Sequence, residues 1–273
     1  MSDHYSDVVT AYDGVEDLDS FAPEALAAYR ADLLARTAGE AAFVGRRLPT
    51  GAHVLEVGSG NGRLLIALSR AGAMVRGTGL EVAASRTAFA QRWAQDEGLA
   101  DRLELTTADA LEADMPSGVD AAVCVTGAFS YFDAIRPGAA AELLQRLHDA
   151  LAPGGLLVLE LYPHPAWRRL FDAGGDELRL WQELPASDPW RFYLSELTLD
   201  RATDVLTHRK TFVHRTDHVV DDSRREHLRL YDEATARASA EAAGFGDVQA
   251  FGGWREVPGG PGDEVLVVTA RRA

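Results

Sequence analysis

Between residues 50 and 162 short apolar runs alternate with amphipathic stretches, and glycine or proline separates most of them. His53–Val57, Met74–Leu80, Leu103–Thr107, Val119–Val125 and Leu156–Leu161 read as strands. Val119–Val125 is apolar but for Asp120, the pattern of a strand buried on both faces in the middle of a parallel sheet. The stretches between predict helices: Arg63–Arg70 stopped by Gly72, Val82–Glu97 stopped by Gly98, and Ala139–Leu151 with Leu143, Leu144, Leu147 and Leu151 at helical spacing. Pro153-Gly154-Gly155 turns the chain into the strand at Leu156. Upstream, Pro23 opens a helix over 23–47 that Pro49 and Gly51 end.

The rhythm breaks after Pro163. Residues 190–200 and 205–215 are rich in Phe, Tyr, Thr, Leu and Val and predict two strands joined at Arg201-Ala202-Thr203-Asp204. Arg224–Tyr231 predicts a third. The earlier pattern then resumes with a helix over Glu233–Ala243, a stop at Gly244, a strand over Asp247–Phe251, a Gly/Pro-rich loop over 258–262 and a last strand over Glu264–Ala270. The fold class that follows is α/β: a Rossmann-like, doubly wound, seven-stranded sheet with an N-terminal helical cap and an antiparallel β insertion.

Composition narrows the picture. Forty-two acidic against 27 basic residues give a net charge of −15, which repels phosphate backbones and excludes nucleic acid as a partner in this reading. Lys210 is the only lysine. No apolar run is long enough to span a membrane, and the first residues lack the pattern of a secretion signal. The one cysteine, Cys124, lies in an apolar run and rules out an internal disulfide framework, so the expected location is cytoplasmic.

The chemistry concentrates in Val54-Leu55-Glu56-Val57-Gly58-Ser59-Gly60-Asn61-Gly62-Arg63. A strand ends in an acid, and glycines follow at alternate positions before a helix. Glycine there admits close ligand approach and positive φ, and the free N–H groups of the helix start favour a carboxylate or phosphate. A dinucleotide turn has the spacing G-x-G-x-x-G, whereas this one is G-x-G-x-G. Glu56 is a poor neighbour for a pyrophosphate but suits a ligand carrying an ammonium and a sulfonium, as S-adenosylmethionine does.

At these residues the chain resembles the class I S-adenosylmethionine-dependent methyltransferases over 50–162 and 233–273. Glu56 to Gly62 resembles the family's first motif. The resemblance implies a cofactor site of Glu56, Gly58, Ser59, Gly60, Asn61 and Gly62, with Glu81 on the ribose hydroxyls beside Val82, Asp109 on the adenine amino group beside Ala110, and Thr126 after the fourth strand. Leu151-Ala152-Pro153-Gly154-Gly155-Leu156 is similar to the family's turn into strand five, and Tyr231 with Ala243-Gly244-Phe245 to its late helix. Cys124 to Phe132 is similar to small-molecule members, including the glycine and aminosugar N-methyltransferases. The Asn/Asp-Pro-Pro-aromatic run of enzymes acting on nucleobase or glutamine amines is replaced here by Thr126-Gly127-Ala128-Phe129.

The expected reaction is methyl transfer to N or O of a small-molecule acceptor, with S-adenosyl-L-homocysteine as product. Residues 1–50 form a cap or lid, with Tyr5 and Tyr12 placed to close over the cofactor or to stay untethered. Residues 51–162 and 233–273 form the cofactor-binding core, and 163–232 an insertion on the acceptor side. A neutral amine needs little beyond alignment, whereas a hydroxyl needs a base. Tyr131, His214 and His227 are the catalytic candidates, with His208, His218 and Tyr231 as further bases. Phe21, Phe132, Trp167 and Trp190 are candidate pocket aromatics. The histidines lack metal-ligand spacing, so no metal is expected. A homodimer is allowed by the sequence. Rival readings are C-methylation, aminopropyl transfer, a non-catalytic cofactor-binding module and, against the glycine spacing, a nicotinamide-dependent oxidoreductase.

Overall fold

The computed structural model describes residues 6–260 and 262–273. Its strands, in chain order, are β1 (Ala52–Val57), β2 (Met74–Glu81), β3 (Leu103–Thr107), β4 (Val119–Cys124), β5 (Leu151–Leu161), β6 (Glu177–Glu183), β7 (Trp190–Asp200), β8 (Val205–His214), β9 (Val220–Arg229), β10 (Phe245–Gly252) and β11 (Leu266–Arg272). The helices are α1 (Ser6–Tyr12), α2 (Pro23–Gly45), α3 (Arg63–Arg70), α4 (Ala84–Asp96), α5 (Ser130–Ile135), α6 (Ala139–Ala150), α7 (His164–Gly174) and α8 (Glu233–Ala242).

Seven strands form one sheet in the order β10-β11-β5-β4-β1-β2-β3. β1 to β5 pair in parallel, β11 runs antiparallel to β5, and β10 antiparallel to β11. Strand alternation sorts the apolar side chains onto two faces. Val54, Ala121, Val123 and Val158 join Leu33, Phe43, Leu64, Phe89 and Trp93 of α2, α3 and α4 in one core. Leu55, Val57, Ala122, Leu157 and Leu159 join Leu143, Leu144 and Leu147 of α6 and Ala240 of α8 in the other. A sheet covered on both faces is the arrangement that continuous apolar strands require.

The remaining strands form a separate antiparallel sheet in the order β6-β7-β8-β9. Its inner face carries Leu197, Leu206 and Leu228 into the core shared with α6 and α8. By the same alternation Lys210, Arg224 and Glu226 are also buried.

Several elements depart from the sequence expectation. β5 starts at Leu151, and Pro153-Gly154-Gly155 is an irregularity within it, with Gly154 at φ +74° and a register shift against β4. The last strand of the insertion runs over Val220–Arg229 instead of Arg224–Tyr231. β6 has no counterpart in the sequence reading. It is an edge strand exposed along almost its whole length, so its residues carry little apolar alternation. The helices α1, α5 and α7 likewise have no counterpart in the sequence reading, although Trp167, Leu170 and Phe171 of α7 stand at helical spacing. Among the described residues no helix is long and apolar enough to cross a membrane.

Leu144 is fully buried where α6 meets the sheet. Leu144→Ala is expected to lower the unfolding free energy by about 2–5 kcal/mol, read as a shift in the urea midpoint at unchanged slope.

Candidate active site

The strand order reverses between β1 and β4, and the loops leaving their carboxyl ends part to open a crevice. After Val57 the chain turns sharply: the N–H groups of Gly58 and Ser59 both donate to the Leu80 carbonyl, at 2.8 and 3.1 Å. Gly58 has φ +70°, and a Cβ there would lie 2.7 Å from the Ala128 methyl. Gly60 has φ +53°, with the Arg86 guanidinium directly over it. Gly62 caps α3 in the left-handed region. The resulting cavity holds about 870 Å³ of space counted out to its mouth.

Glu56 and Glu81 both line this cavity. Glu56 is 2% exposed, and its Oε2 has no hydrogen-bond partner among the described residues. Burial, reinforced by Glu40 and Glu81 and opposed by Arg63, pushes its carboxyl up to about 8. Glu81 is fixed from both sides: Oε2 accepts the Gly60 N–H at 2.8 Å and Oε1 the Ala83 N–H at 2.9 Å. Asp109 is buried between the lining residues Ala108 and Ala110, and its Oδ1 accepts the Leu111 N–H at 2.8 Å. Thr126 adopts φ +55°, donates its N–H to the Glu160 carboxylate, and accepts from Arg63 Nη2 at 2.8 Å. Burial pushes the Glu160 carboxyl up to about 7 against that N–H.

The segment after α1 is stitched over the crevice. Glu16, 3% exposed, accepts from Tyr29 Oη at 2.6 Å, Asn61 Nδ2 at 2.6 Å and Arg86 Nε at 2.8 Å. Asp13 and Gly14 exchange hydrogen bonds with Ser85, and Arg224 donates to the carbonyls of Thr10 and Asp13. Tyr12 thereby reaches the cavity wall beside Tyr131.

Behind that wall lies a buried polar cluster. Tyr12 Oη and Tyr131 Oη are 2.6 Å apart, and Tyr131 donates to Glu226 Oε2 at 2.6 Å. Lys210 Nζ donates to the same oxygen at 2.7 Å, while His208 Nδ1 meets Glu226 Oε1 at 2.8 Å. His208 lies directly opposite Glu226 in the β8–β9 register. Burial would raise the Glu226 carboxyl, but Lys210 and His208 outweigh it and hold the group at about 2. Burial, reinforced by that carboxylate, pushes the Tyr131 phenol well above its ordinary value.

The structure therefore gathers Glu56, Gly58, Ser59, Gly60, Asn61, Glu81, Val82, Ala110, Thr126 and Tyr131 around one cavity, with Gly62 and Asp109 immediately flanking it. It does not bring His214 or His227 there. His227 is on the outer face of β9, one residue from the inward Glu226, with Nδ1 3.0 Å from Thr207 Oγ1. His214 ends β8 and pairs with Asp217 at 2.7 Å. Phe132 lines the cavity; Phe21 packs on Tyr29 and Phe89, Trp167 on Tyr162, and Trp190 on Phe212. Tyr5 lies outside the described residues. Glu226, Lys210 and His208 join the site from the insertion. His208 is one of the further bases the sequence offered; the signal for Glu226 and Lys210 was charged residues on the apolar phase of strands, and Lys210 being the only lysine.

A glycine turn at the switch point of a seven-stranded sheet with one reversed strand defines the class I S-adenosylmethionine-dependent methyltransferase fold. Residues 54–155 match the family model of the methyltransferase domain. Residues 54–155 are thus a methyltransferase domain on the matching fold, and S-adenosylmethionine is the cofactor that this domain implies. An uncharacterised Escherichia coli protein, YjhP, is 29% identical over 124 residues, 45% of this chain and 46% of that protein, so the match spans about half the length of the curated relative. Among solved structures, the CcbJ methyltransferase of Streptomyces caelestis superposes with a TM-score of 0.73 at 16% identity, over 86% of this chain and 94% of that one. An amino pentose methyltransferase from Micromonospora echinaspora, solved with S-adenosylmethionine bound, gives 0.63 at 21% identity, over 86% and 90%. At these identities the likeness establishes the fold.

The Glu226 cluster makes a prediction about acid stability. A carboxyl held at about 2 against an ordinary 4.5 stabilises the fold above pH 4.5, and that contribution is lost as pH falls through the folded value. It amounts to at most about 3 kcal/mol. Glu226→Gln is expected to show a shallower loss of stability between about pH 4.5 and 2 than wild type, in urea titrations followed by circular dichroism.

Proposed function

We propose that this protein transfers a methyl group from S-adenosylmethionine to nitrogen or oxygen of a small metabolite. The observation that carries the reading is Glu56: a buried carboxyl at the end of β1, beside a glycine cradle, with one oxygen lacking any partner among the described residues. A cation set against it would satisfy that oxygen, and the ammonium of the cofactor's methionine part is such a cation. The N–H groups at the start of α3 and the Arg63 guanidinium at the cavity edge suit its carboxylate. Each Glu81 oxygen already accepts one backbone N–H and retains a lone pair for a ribose hydroxyl. Asp109, flanked by Ala110, is assigned to the adenine amino group, with Val82 along the ring.

When bound, the cofactor supplies a methyl group on a sulfonium, and the bonding pair returns to sulfur as the acceptor lone pair takes the carbon. The chain's own residues bind, align and exclude water; alignment supplies much of the acceleration. On this reading residues 51–162 and 233–273 hold the cofactor, and 1–50 with 163–232 close the acceptor side. The net charge of −15 and the amino pentose specificity named for one structural neighbour support a small acceptor over nucleic acid. The test is calorimetry with S-adenosyl-L-homocysteine, followed by incubation of the cofactor with candidate metabolites. Binding and an acceptor mass gain of one methylene are expected, and absence of any binding by folded protein would overturn the reading.

Glu56 gives the binding a pH dependence. With its carboxyl held at about 8, it is protonated near pH 6, so a bound cation must expel that proton. Affinity for S-adenosyl-L-homocysteine should rise from about pH 6 to 8 with proton release visible as buffer-dependent heat, and Glu56→Gln should flatten the profile and weaken binding at pH 8 by about 1–3 kcal/mol.

A further inference from the structure

The antiparallel sheet ends on an open edge. β6 pairs with β7 along all of Glu177–Glu183, and among the described residues no strand pairs with its other side. The opposite edge of that sheet, β9, is packed by α1 and α5. Which backbone groups of β6 face outward follows from the ladder. Leu184, the next residue, donates its N–H to the Arg191 carbonyl at 2.8 Å, so its backbone points toward β7. Alternate residues of an antiparallel strand bond to opposite neighbours. Gln182, Leu180 and Leu178 therefore share the direction of Leu184. Glu183, Trp181, Arg179 and Glu177 turn their N–H and C=O groups to the open edge.

The side chains of these residues share one face of the sheet. Trp181 is 71% exposed, more than any other large apolar side chain among the described residues. Leu194, directly opposite it on β7, is exposed as well, and the Phe192 ring lies 6.0 Å away. Arg179 and Glu183 stand two residues to either side of Trp181 with opposite charges. Their ion pairs within the chain, Arg179 with Glu177 and Glu183 with Arg191, are exposed and stabilise little. Edge strands that stay single carry charges that repel a second strand. The charges of β6 complement a second copy of β6.

We propose that β6 is the dimer interface of this protein, pairing antiparallel with β6 of a second copy about a two-fold axis through Trp181. In that register Trp181 meets Trp181, each Arg179 meets the partner's Glu183, and each Leu178 meets the partner's Leu184. The residues whose backbone groups point outward fall opposite one another, so each of these pairs exchanges both of its main-chain hydrogen bonds. Pro185, which has no N–H to donate, falls opposite Glu177 and ends the ladder. Neighbouring registers fail: an axis at Leu180 sets Glu177 against Glu183, one at Arg179 sets that arginine against itself, and one at Gln182 sets Arg179 against Pro185. Like charges directly opposite destabilise a strand pair. The contact is isologous, so it closes on two copies and leaves no β6 edge for a third. No residue of β6 lines the cavity, so the interface is tested apart from methyl transfer.

The test is sedimentation velocity of the full chain over micromolar concentrations, with circular dichroism to establish that each variant is folded. Wild type is expected to sediment as a dimer. Arg179→Glu and Glu183→Arg each place like charges at both ends of the ladder and should raise the dissociation constant at least about tenfold. The two substitutions combined restore opposite charges in reversed order and should return it to within about threefold of wild type. Residues 179 and 183 lie roughly 13 Å apart along one strand, so such a rescue can come only from across the axis. Trp181→Lys should also dissociate the dimer, as a lysine at the axis faces its own copy. A monomeric wild type, a dimer indifferent to either single charge reversal, or a double variant no tighter than the single ones would overturn the proposal.

Discussion

A sheet packed on both faces can admit a ligand only past the ends of its strands, and here that constraint selects one place. β1 sends its connection toward β2, while β4 sends its own toward β5, so the loops diverge above a single pair of strands. The turn at Gly58 exists because two successive N–H groups share the Leu80 carbonyl, and it tolerates no side chain because Ala128 of the opposite loop closes against it. Glu56 is carried into a dry position by the strand itself. Desolvation raises its carboxyl, which on the proposed reading gives up its proton as a cation binds.

The second sheet meets a different requirement. Burying Lys210 and Glu226 costs far more than burying leucines of the same size, and the cost is offset only if every donor and acceptor is satisfied. The structure satisfies them with Tyr131, His208 and the cation–ring contact to Tyr12. Such a cluster stabilises poorly but orients well: a carboxylate that accepts without donating imposes one direction on every hydroxyl linked to it.

Much of the seven-stranded sheet was legible because its signals are local. Glycine at a positive φ, an acid at a strand end and unbroken apolar strands each follow from a neighbour or two, and the cofactor-side residues fell around one cavity. The insertion was legible as strands but not as a site. His227 and Glu226 are adjacent in sequence, and only the phase of β9 decides that the glutamate turns inward and the histidine outward. That phase is set by pairing with β8, where Leu206 faces Leu228 and Lys210 faces Arg224. Of the histidines offered as bases, His208 shares the inward face with Lys210 while His227 stands on the outward one, since residue type says nothing of direction. β6 was illegible for a simpler reason: an exposed edge strand buries almost nothing, so burial writes no pattern into it.

The two halves of the site are not independent, because the N-terminal segment belongs to both. Glu16 holds Arg86 and Asn61 of the cofactor-side loops, and four residues earlier Tyr12 contributes the outermost hydroxyl of the Glu226 chain. Arg86 and Lys210, one from each sheet, both approach the Tyr12 ring. Displacing residues 10–16 would therefore release Arg86 from over Gly60 and part the Tyr12 hydroxyl from Tyr131 together. On the proposed reading, a strap with these attachments ties the loops around the cofactor to the wall that would face the acceptor.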